Sequence, residues 1–301
     1  MNSVECLVIG GGPAGLTAAL YLGRFRRRVL LVDGGASRAS WIPKTHNLIG
    51  YTGGISGRDL LARMREQALQ YGAQLMHSEV AALDIAGDGR FVAAIGGERI
   101  AADRVLLATG GLDVEPELPG IREAVQEGLV RYCPICDAFE ASGKRVGLIS
   151  YGKCRVREAQ LLRAYTAELS VMTLGREMTI SDADAATLED AGVRVIVDPV
   201  TRFSRQHDCV TAWDADSNAV AEFDILYSAL GTRIRSRLAV ALGAETDEDG
   251  ALVTDRHQRT SVAGMFAAGD VVSGLSQISI AAAQAAVAAT AINAELPPSY
   301  Y

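Results

Sequence analysis

The sequence predicts an α/β protein built from two three-layer domains, the second inserted in the first. Three observations carry the prediction. Short apolar strands alternate with stretches of helical spacing, the pattern of parallel sheets covered by helices. A strand, a loop, a helix and another strand open the chain, and the same order begins again at Lys144. A further strand, a Gly-Asp turn and a long helix follow once the second pattern has run out, so the first domain is completed from the far end of the chain. The 301 residues agree with two domains of about 150 residues each.

Taken in order, Glu5–Ile9 is an apolar run ending in glycines, Leu16–Phe25 has helical spacing, and Arg28–Val32 reads as the next strand. Asp113–Gly120 holds Pro116 and Pro119 among acidic residues, which suits an extended joint. The second pattern runs from strand Arg145–Ile149 through a loop and helix Val156–Tyr165 to strand Glu168–Leu174. A second joint falls within Gly231–Arg237, and Phe266–Ile292 carries the returning strand, turn and helix. The expected division is residues 1–115 with 242–301 for the first domain and 116–241 for the inserted one.

Composition excludes several classes. Hydrophobic residues make up 49% and charged residues 22%, a globular balance rather than a disordered one. Lys+Arg number 29 against 36 Asp+Glu, a net charge of −7, which argues against nucleic-acid binding, because that needs a basic surface. No membrane span is expected: the longest weakly polar stretch, Ile278–Ile292, is mostly alanine and contains Ser279, Gln284 and Thr290. Met1 leads almost directly into a strand, with no basic segment or cleavage site, so no export signal is expected. Five cysteines with one close pair do not make a secreted disulfide scaffold, and the expected compartment is the cytoplasm.

Gly10-Gly11-Gly12-Pro13-Ala14-Gly15 lies directly between a strand and a helix. Gly10 permits the tight turn, Gly12 the close approach of a pyrophosphate, and Gly15 the close packing of helix on strand. The helix start adds free N–H groups and partial positive charge. Asp33, 18 residues after Gly15, ends the next strand, where an acid binds an adenosine ribose. Together these predict a Rossmann-like dinucleotide site without separating FAD from NAD. The other end of the chain separates them. In Ala267-Ala268-Gly269-Asp270-Val271 the aspartate can accept hydrogen bonds from ribityl hydroxyls. The helix that begins at Gln277 would bring its positive end to the electron density of a reduced isoalloxazine.

Several segments then read jointly: VIGGGPAGLTAA (Val8–Ala19), HNLIGYTGGISGRDL (His46–Leu60), LLATG (Leu106–Gly110), CPICD (Cys133–Asp137) and FAAGDV with the following LSQISIAAAQAA. On these the chain resembles the low-molecular-weight thioredoxin reductases, FAD-dependent disulfide oxidoreductases of the pyridine nucleotide class, over nearly its whole length. The resemblance implies two Rossmann-like dinucleotide-binding domains and a homodimer. It also implies FAD held by Gly10, Gly11, Gly12, Pro13, Ala14, Gly15, Asp33, Gly34, Asn47, Val80, Ala108, Thr109, Gly110, Gly269, Asp270, Gln277 and Ile278. Where relatives often have Arg before that Gln, this chain has Ser276.

Cys133-Pro134-Ile135-Cys136 is followed by Asp137. Two thiols two residues apart at a helix start can form and break a short disulfide, the helix dipole favouring thiolate at the first. Exchange with a partner's disulfide passes through a mixed disulfide. Asp137 is placed to move a proton during the transfer. Two other readings stand beside this one. Half of a zinc site is the first, for which Cys6, Cys154 and Cys209 supply no second pair of ligand spacing, so no metal is expected. A buried structural thiol pair is the second. The three remaining cysteines read as small core residues, with Cys154 notable for its place in the second loop.

That second loop departs from the resemblance. A reductase of this kind takes hydride from NADPH there, but the loop reads Ser150-Tyr151-Gly152-Lys153-Cys154-Arg155. Ser150 stands where the tight turn wants glycine, and Arg155 where a small residue lets the helix approach the pyrophosphate. The His-Arg-Arg stretch that holds the 2′-phosphate is matched by Thr173-Leu174-Gly175, with Arg176 just after. Each lost charge-assisted hydrogen bond is worth roughly 1.5–3 kcal/mol, so NADPH is expected to serve poorly. Three electron routes follow: dithiols reducing the flavin through Cys133 and Cys136 with oxygen as acceptor, a ferredoxin or flavodoxin as donor, or an unusual nicotinamide pocket. The thiol-side partner is expected to be a thioredoxin-like protein or a small dithiol or disulfide. An ordinary NADPH-dependent reductase and a redox-sensing flavoprotein without turnover are the alternatives. Pro297 and Pro298 stiffen a tail whose Tyr300 or Tyr301 could stack on a flavin face, a frayed terminus being the other reading.

Overall fold

A computed structural model describes residues 2–206 and 208–298. The chain divides into two compact units, residues 1–42, 55–112 and 233–301 forming one and residues 43–54 and 113–232 the other. The sequence places the joints at 115/116 and 241/242; the units exchange at 112/113 and 232/233. By Thr232–Ile234 the chain already pairs with Gly111–Asp113, and Arg235 donates its N–H to the Gly110 carbonyl (2.9 Å).

The first unit centres on five parallel strands: Gln74–His77, Val29–Asp33, Asn2–Ile9, Glu98–Leu107 and Met265–Ala267, in that spatial order. Strand alternation sends Cys6 and Val8 to one core and Leu7 and Ile9 to the other, which is why residues 6–9 of that strand are a continuous apolar run. Helices Pro13–Arg24 and Ile278–Glu295 cover the first face. Their contact is alanine on alanine (Ala14, Ala18 and Ala19 against Ala281, Ala285 and Ala288), so the backbones can approach closely. Helix Ile278–Glu295 is long and apolar enough to cross a membrane by length and composition, which the sequence reading does not anticipate; its alanine face lies in this core. On the other face, antiparallel strands Val80–Ile85 and Phe91–Ile95 pack Val80, Leu83 and Phe91 against the sheet.

The second unit repeats the plan. Five parallel strands run in the order Arg194–Ile196, Leu169–Met172, Val146–Ile149, Ile225–Ser228 and Val130–Arg131. Helices Val156–Arg163 and Asp182–Asp190 fill one core with Ala159, Leu162 and Leu188. An antiparallel meander of Arg202–Gln206, Cys209–Trp213 and Ala219–Phe223 closes the other with Phe203, Val210 and Phe223. Each unit is therefore three layers: helices, a parallel sheet and antiparallel strands.

Candidate active site

Most of the residues expected around FAD lie in the first unit, where neighbouring parallel strands end. Strand Asn2–Ile9 delivers Gly10–Gly12, Val29–Asp33 delivers Asp33 and Gly34, Glu98–Leu107 delivers Ala108–Gly110, and Met265–Ala267 leads to Gly269 and Asp270. The carboxyl ends of parallel strands are where ligands bind such sheets. Gln277 and Ile278 start the alanine-rich helix, and Val80, buried, starts strand Val80–Ile85. Asn47 is apart from these, in the segment 43–54 of the other unit, where Thr45 donates its hydroxyl to the Asn47 amide oxygen (2.8 Å).

The loop itself is a cradle that side chains would fill. Gly10 is left-handed (φ +117°), and a Cβ there would strike the Ala108 carbonyl. A Cβ on Gly15 would strike the Gly10 carbonyl, and one on Gly11 the Asp33 carboxylate. Helix Pro13–Arg24 starts at Gly12 with no side chain capping it, so its first N–H groups face the cradle. These features fit a dinucleotide pyrophosphate.

Two basic side chains that sequence reasoning missed hold the two expected acids. Asp33 accepts from the Gly35 N–H (2.8 Å) and from Arg65 (3.0 Å), which still leaves lone pairs for ribose hydroxyls. Asp270 accepts from Arg38 (3.0 Å). Thr109 is committed in the fold as well, donating its hydroxyl to the Arg235 carbonyl (2.7 Å). No local pattern marks Arg38, on a 3₁₀ turn, or Arg65, on helix Gly57–Gln70, because each meets its acid only through the tertiary fold.

In the second unit, Cys133 and Cys136 form a disulfide. They follow edge strand Val130–Arg131, again at a carboxyl end, and the Cys136 N–H donates to the Cys133 carbonyl (2.9 Å). The helix there is the single turn Pro134–Asp137, succeeded by a 3₁₀ turn, so the dipole argument for the first thiol is weaker than the sequence suggests. Asp137 meets two further residues that the sequence did not flag. Arg131 and Tyr227 are register partners on neighbouring parallel strands. Tyr227 donates to Asp137 Oδ1 (2.8 Å), and Arg131 lies 3.4 Å from Oδ2. Burial pushes the Asp137 carboxyl above the usual carboxylate range, opposed first by Arg131 and then by the Tyr227 hydrogen bond, with Glu140 adding to the rise.

The remaining cysteines divide. Cys6 is core, its thiol pushed up to about 12 by burial. Cys209, against expectation, is only partly buried and sits between Arg145 (3.1 Å) and Asp224 (3.5 Å). Cys154 is also partly buried, and burial raises its thiol.

The second loop is stitched into its own unit. The Gly152 N–H donates to the Glu177 carbonyl (2.9 Å) and the Cys154 N–H to the Thr179 carbonyl (3.0 Å). The fully buried Ser150 hydroxyl accepts the Arg155 N–H (3.1 Å). Arg176 stacks over the Tyr151 ring at 4.6 Å, and Leu174 adopts a left-handed conformation (φ 57°). The helix starts only at Val156, so six residues separate it from its strand, where three suffice in the first loop. Tyr300 and Tyr301 lie outside the described residues; the tail before them is held where buried Arg27 donates to the Pro297 carbonyl (2.8 Å).

A parallel-sheet unit with a glycine cradle and a second unit carrying a CxxC disulfide beside a half-buried acid define a flavin-type disulfide oxidoreductase. The family model for pyridine nucleotide-disulphide oxidoreductases matches residues 4–288, and the chain belongs to that family. Thioredoxin reductase of Peptoclostridium litorale is 29% identical over 96% of this chain and 95% of its own. A bifunctional thioredoxin reductase/thioredoxin of Mycobacterium leprae is 31% identical over 97% of this chain, which spans 65% of that longer protein. Among solved structures, HlmI matches with a TM-score of 0.88 at 32% identity, over 97% of this chain and 92% of its own. Thioredoxin reductase of Streptococcus pyogenes matches with a TM-score of 0.87 at 25% identity, over 96% and 97%. The protein is an FAD-dependent disulfide oxidoreductase of the low-molecular-weight thioredoxin reductase kind.

Proposed function

We propose that this protein passes electron pairs between FAD and the Cys133–Cys136 disulfide, and from there to a thioredoxin-like disulfide, without efficient use of NADPH. Bound FAD supplies a two-electron reservoir that exchanges with the sulfur pair. The glycine cradle with Ala14 and the helix start would hold its pyrophosphate, Asp33 its ribose, and Asp270 its ribityl chain, with Gln277 and Ile278 beside the ring. Cys133 and Cys136 carry the electrons onward by thiol–disulfide exchange. Asp137 gives a proton to a sulfur when the S–S bond opens and takes it back when the bond closes. The named reductase relatives support thioredoxin as the acceptor class.

The observation that supports inefficient use of NADPH is the second loop. A pyrophosphate is bound by N–H groups that point at it. Here Gly152, Cys154 and Arg155 spend theirs on Glu177, Thr179 and Ser150. Arg176, the cation just after the stretch matched to the 2′-phosphate signature, is stacked on Tyr151. Binding would have to break these contacts first.

Anaerobic NADPH at micromolar concentration is expected to leave the flavin's visible absorption band intact for many minutes. After dithionite reduction, oxidised thioredoxin is expected to restore that band while gaining two thiols. Bleaching by NADPH within seconds would overturn the donor claim. A flavin that stays reduced would overturn the acceptor.

A further inference from the structure

An acid that cycles a proton must be stable in two states at one place. Opening the Cys133–Cys136 bond takes up two electrons and two protons. On the reading above, the electron pair and one proton would come from reduced FAD, and Asp137 would pass the second proton to a sulfur and be recharged from solvent. The carboxylate form needs hydrogen-bond donors, and the carboxylic acid form needs an acceptor for its own proton. Arg131 only donates, to the carboxyl and to the Asp137 main-chain carbonyl (3.3 Å), so it cannot accept the proton of the acid form. Glu140, on the following turn, repels that same form.

Tyr227 can serve both. It is fully buried (0% exposed) on a central strand, and its hydroxyl lies 2.8 Å from Asp137 Oδ1 and 3.2 Å from the Asp137 main-chain carbonyl. With Asp137 ionised, the hydroxyl donates to Oδ1. With Asp137 protonated, the carboxyl donates to the tyrosine oxygen, and the tyrosine proton turns to the main-chain carbonyl. One rotation about the C–O bond exchanges the two arrangements and leaves no polar atom unpaired in either. Burial holds the tyrosine proton in place, raising its own ionisation well above the usual phenol range, so Tyr227 relays orientation and not charge.

We propose that Tyr227 is the positioning residue for Asp137, its hydroxyl switching between the carboxyl and the main-chain carbonyl as the acid gives up and regains its proton. The inference rests on the role given to Asp137 above.

Tyr227→Phe removes one oxygen from a position of unchanged shape. The variant is expected to keep its FAD and its melting behaviour. The carboxyl of Asp137, followed by carbon-13 NMR, is expected to titrate about one pH unit higher than in wild type, because a donor to the charged form is gone. The pH profile of electron exchange between flavin and disulfide should move with it and fall about tenfold at its plateau. In the Asp137→Asn background, Tyr227→Phe should change the exchange rate no further. An unmoved carboxyl titration, or a further loss in the Asn background, would overturn the proposal. If Asp137→Asn alone exchanged electrons at the wild-type rate, the role of Asp137 would fall instead, which the NMR titration of Tyr227→Phe reports separately. Should Tyr227→Phe not fold, wild type decides: the proposal requires the infrared C–O stretch of the Tyr227 hydroxyl to shift as the Asp137 carboxyl titrates and is overturned by a band that stays fixed.

Discussion

Gly15 is where one missing atom has the largest consequence. Its absent Cβ would occupy the place of the Gly10 carbonyl, and both partners are main chain, so neither can swing away. Gly15→Ala must push helix Pro13–Arg24 off its strand, an overpacking cost of about 1–3 kcal/mol concentrated at the cradle. Purified Gly15→Ala is expected to carry much less flavin per chain and to unfold at lower denaturant. Gly53→Ala is the control: no atom lies within 4 Å of its added Cβ, and flavin content should not change. The glycine loop was legible in sequence because each glycine answers a local demand. The partners of Asp33, Asp270 and Asp137 were not. Arg65 is 32 positions from Asp33, Arg38 is 232 from Asp270, and Tyr227 is 90 from Asp137. A charge or hydroxyl has no periodicity that says where across a sheet it will arrive.

Secondary elements were legible wherever their pattern was dictated by burial on both faces. Residues 6–9, residues 29–32 and strand Val146–Ile149 carry no polar side chain because cores lie on either side. The meander of the second unit was less so: its strand Ala219–Phe223 is half exposed, so alternation is diluted. Its attachment to the parallel sheet is electrostatic in part. Arg145, just before strand Val146–Ile149, donates to Glu222 (2.7 Å) and to Asp224 (2.6 Å), and the Arg145 N–H also reaches Asp224 (2.8 Å). The guanidinium holds the Asp224 carboxyl down to about 2. Since the folded value is depressed, the pair's stabilisation is present above the unfolded value of about 3.9 and is lost as pH falls toward 2. The side chains are roughly one-third exposed, and screening reduces the contribution to about 1 kcal/mol. Asp224→Asn should therefore lower the urea midpoint at pH 7 and make little difference near pH 2; an equal loss at both would show that packing, and not charge, ties the meander down.

At the scale of the whole chain, the two units repeat one plan with opposite outcomes. The first keeps a short uncapped glycine loop; the second, with the same order of strand, loop and helix, closes its loop upon itself and carries its disulfide just after the edge strand. Each has its own two cores. The chain passes between them at 42/43, 54/55, 112/113 and 232/233. The last two crossings are carried by paired strands Gly111–Asp113 and Thr232–Ile234, so their ends are already neighbours. A chain in which a short Gly/Ser linker joins Leu112 to Arg233 should then keep both cores of the first unit, with residues 43–54 left as a surface loop. That chain is expected to fold cooperatively, to bind FAD more weakly than the intact protein because residues 43–54, which carry Asn47, have lost the rest of their unit, and to leave oxidised thioredoxin untouched after dithionite reduction. Flavin absorbance after gel filtration and a thiol count on the thioredoxin measure these outcomes. Thiol production by the shortened chain would mean that electrons leave the flavin without the Cys133–Cys136 pair, whereas a failure to fold would place part of the first unit's stability in residues 113–232.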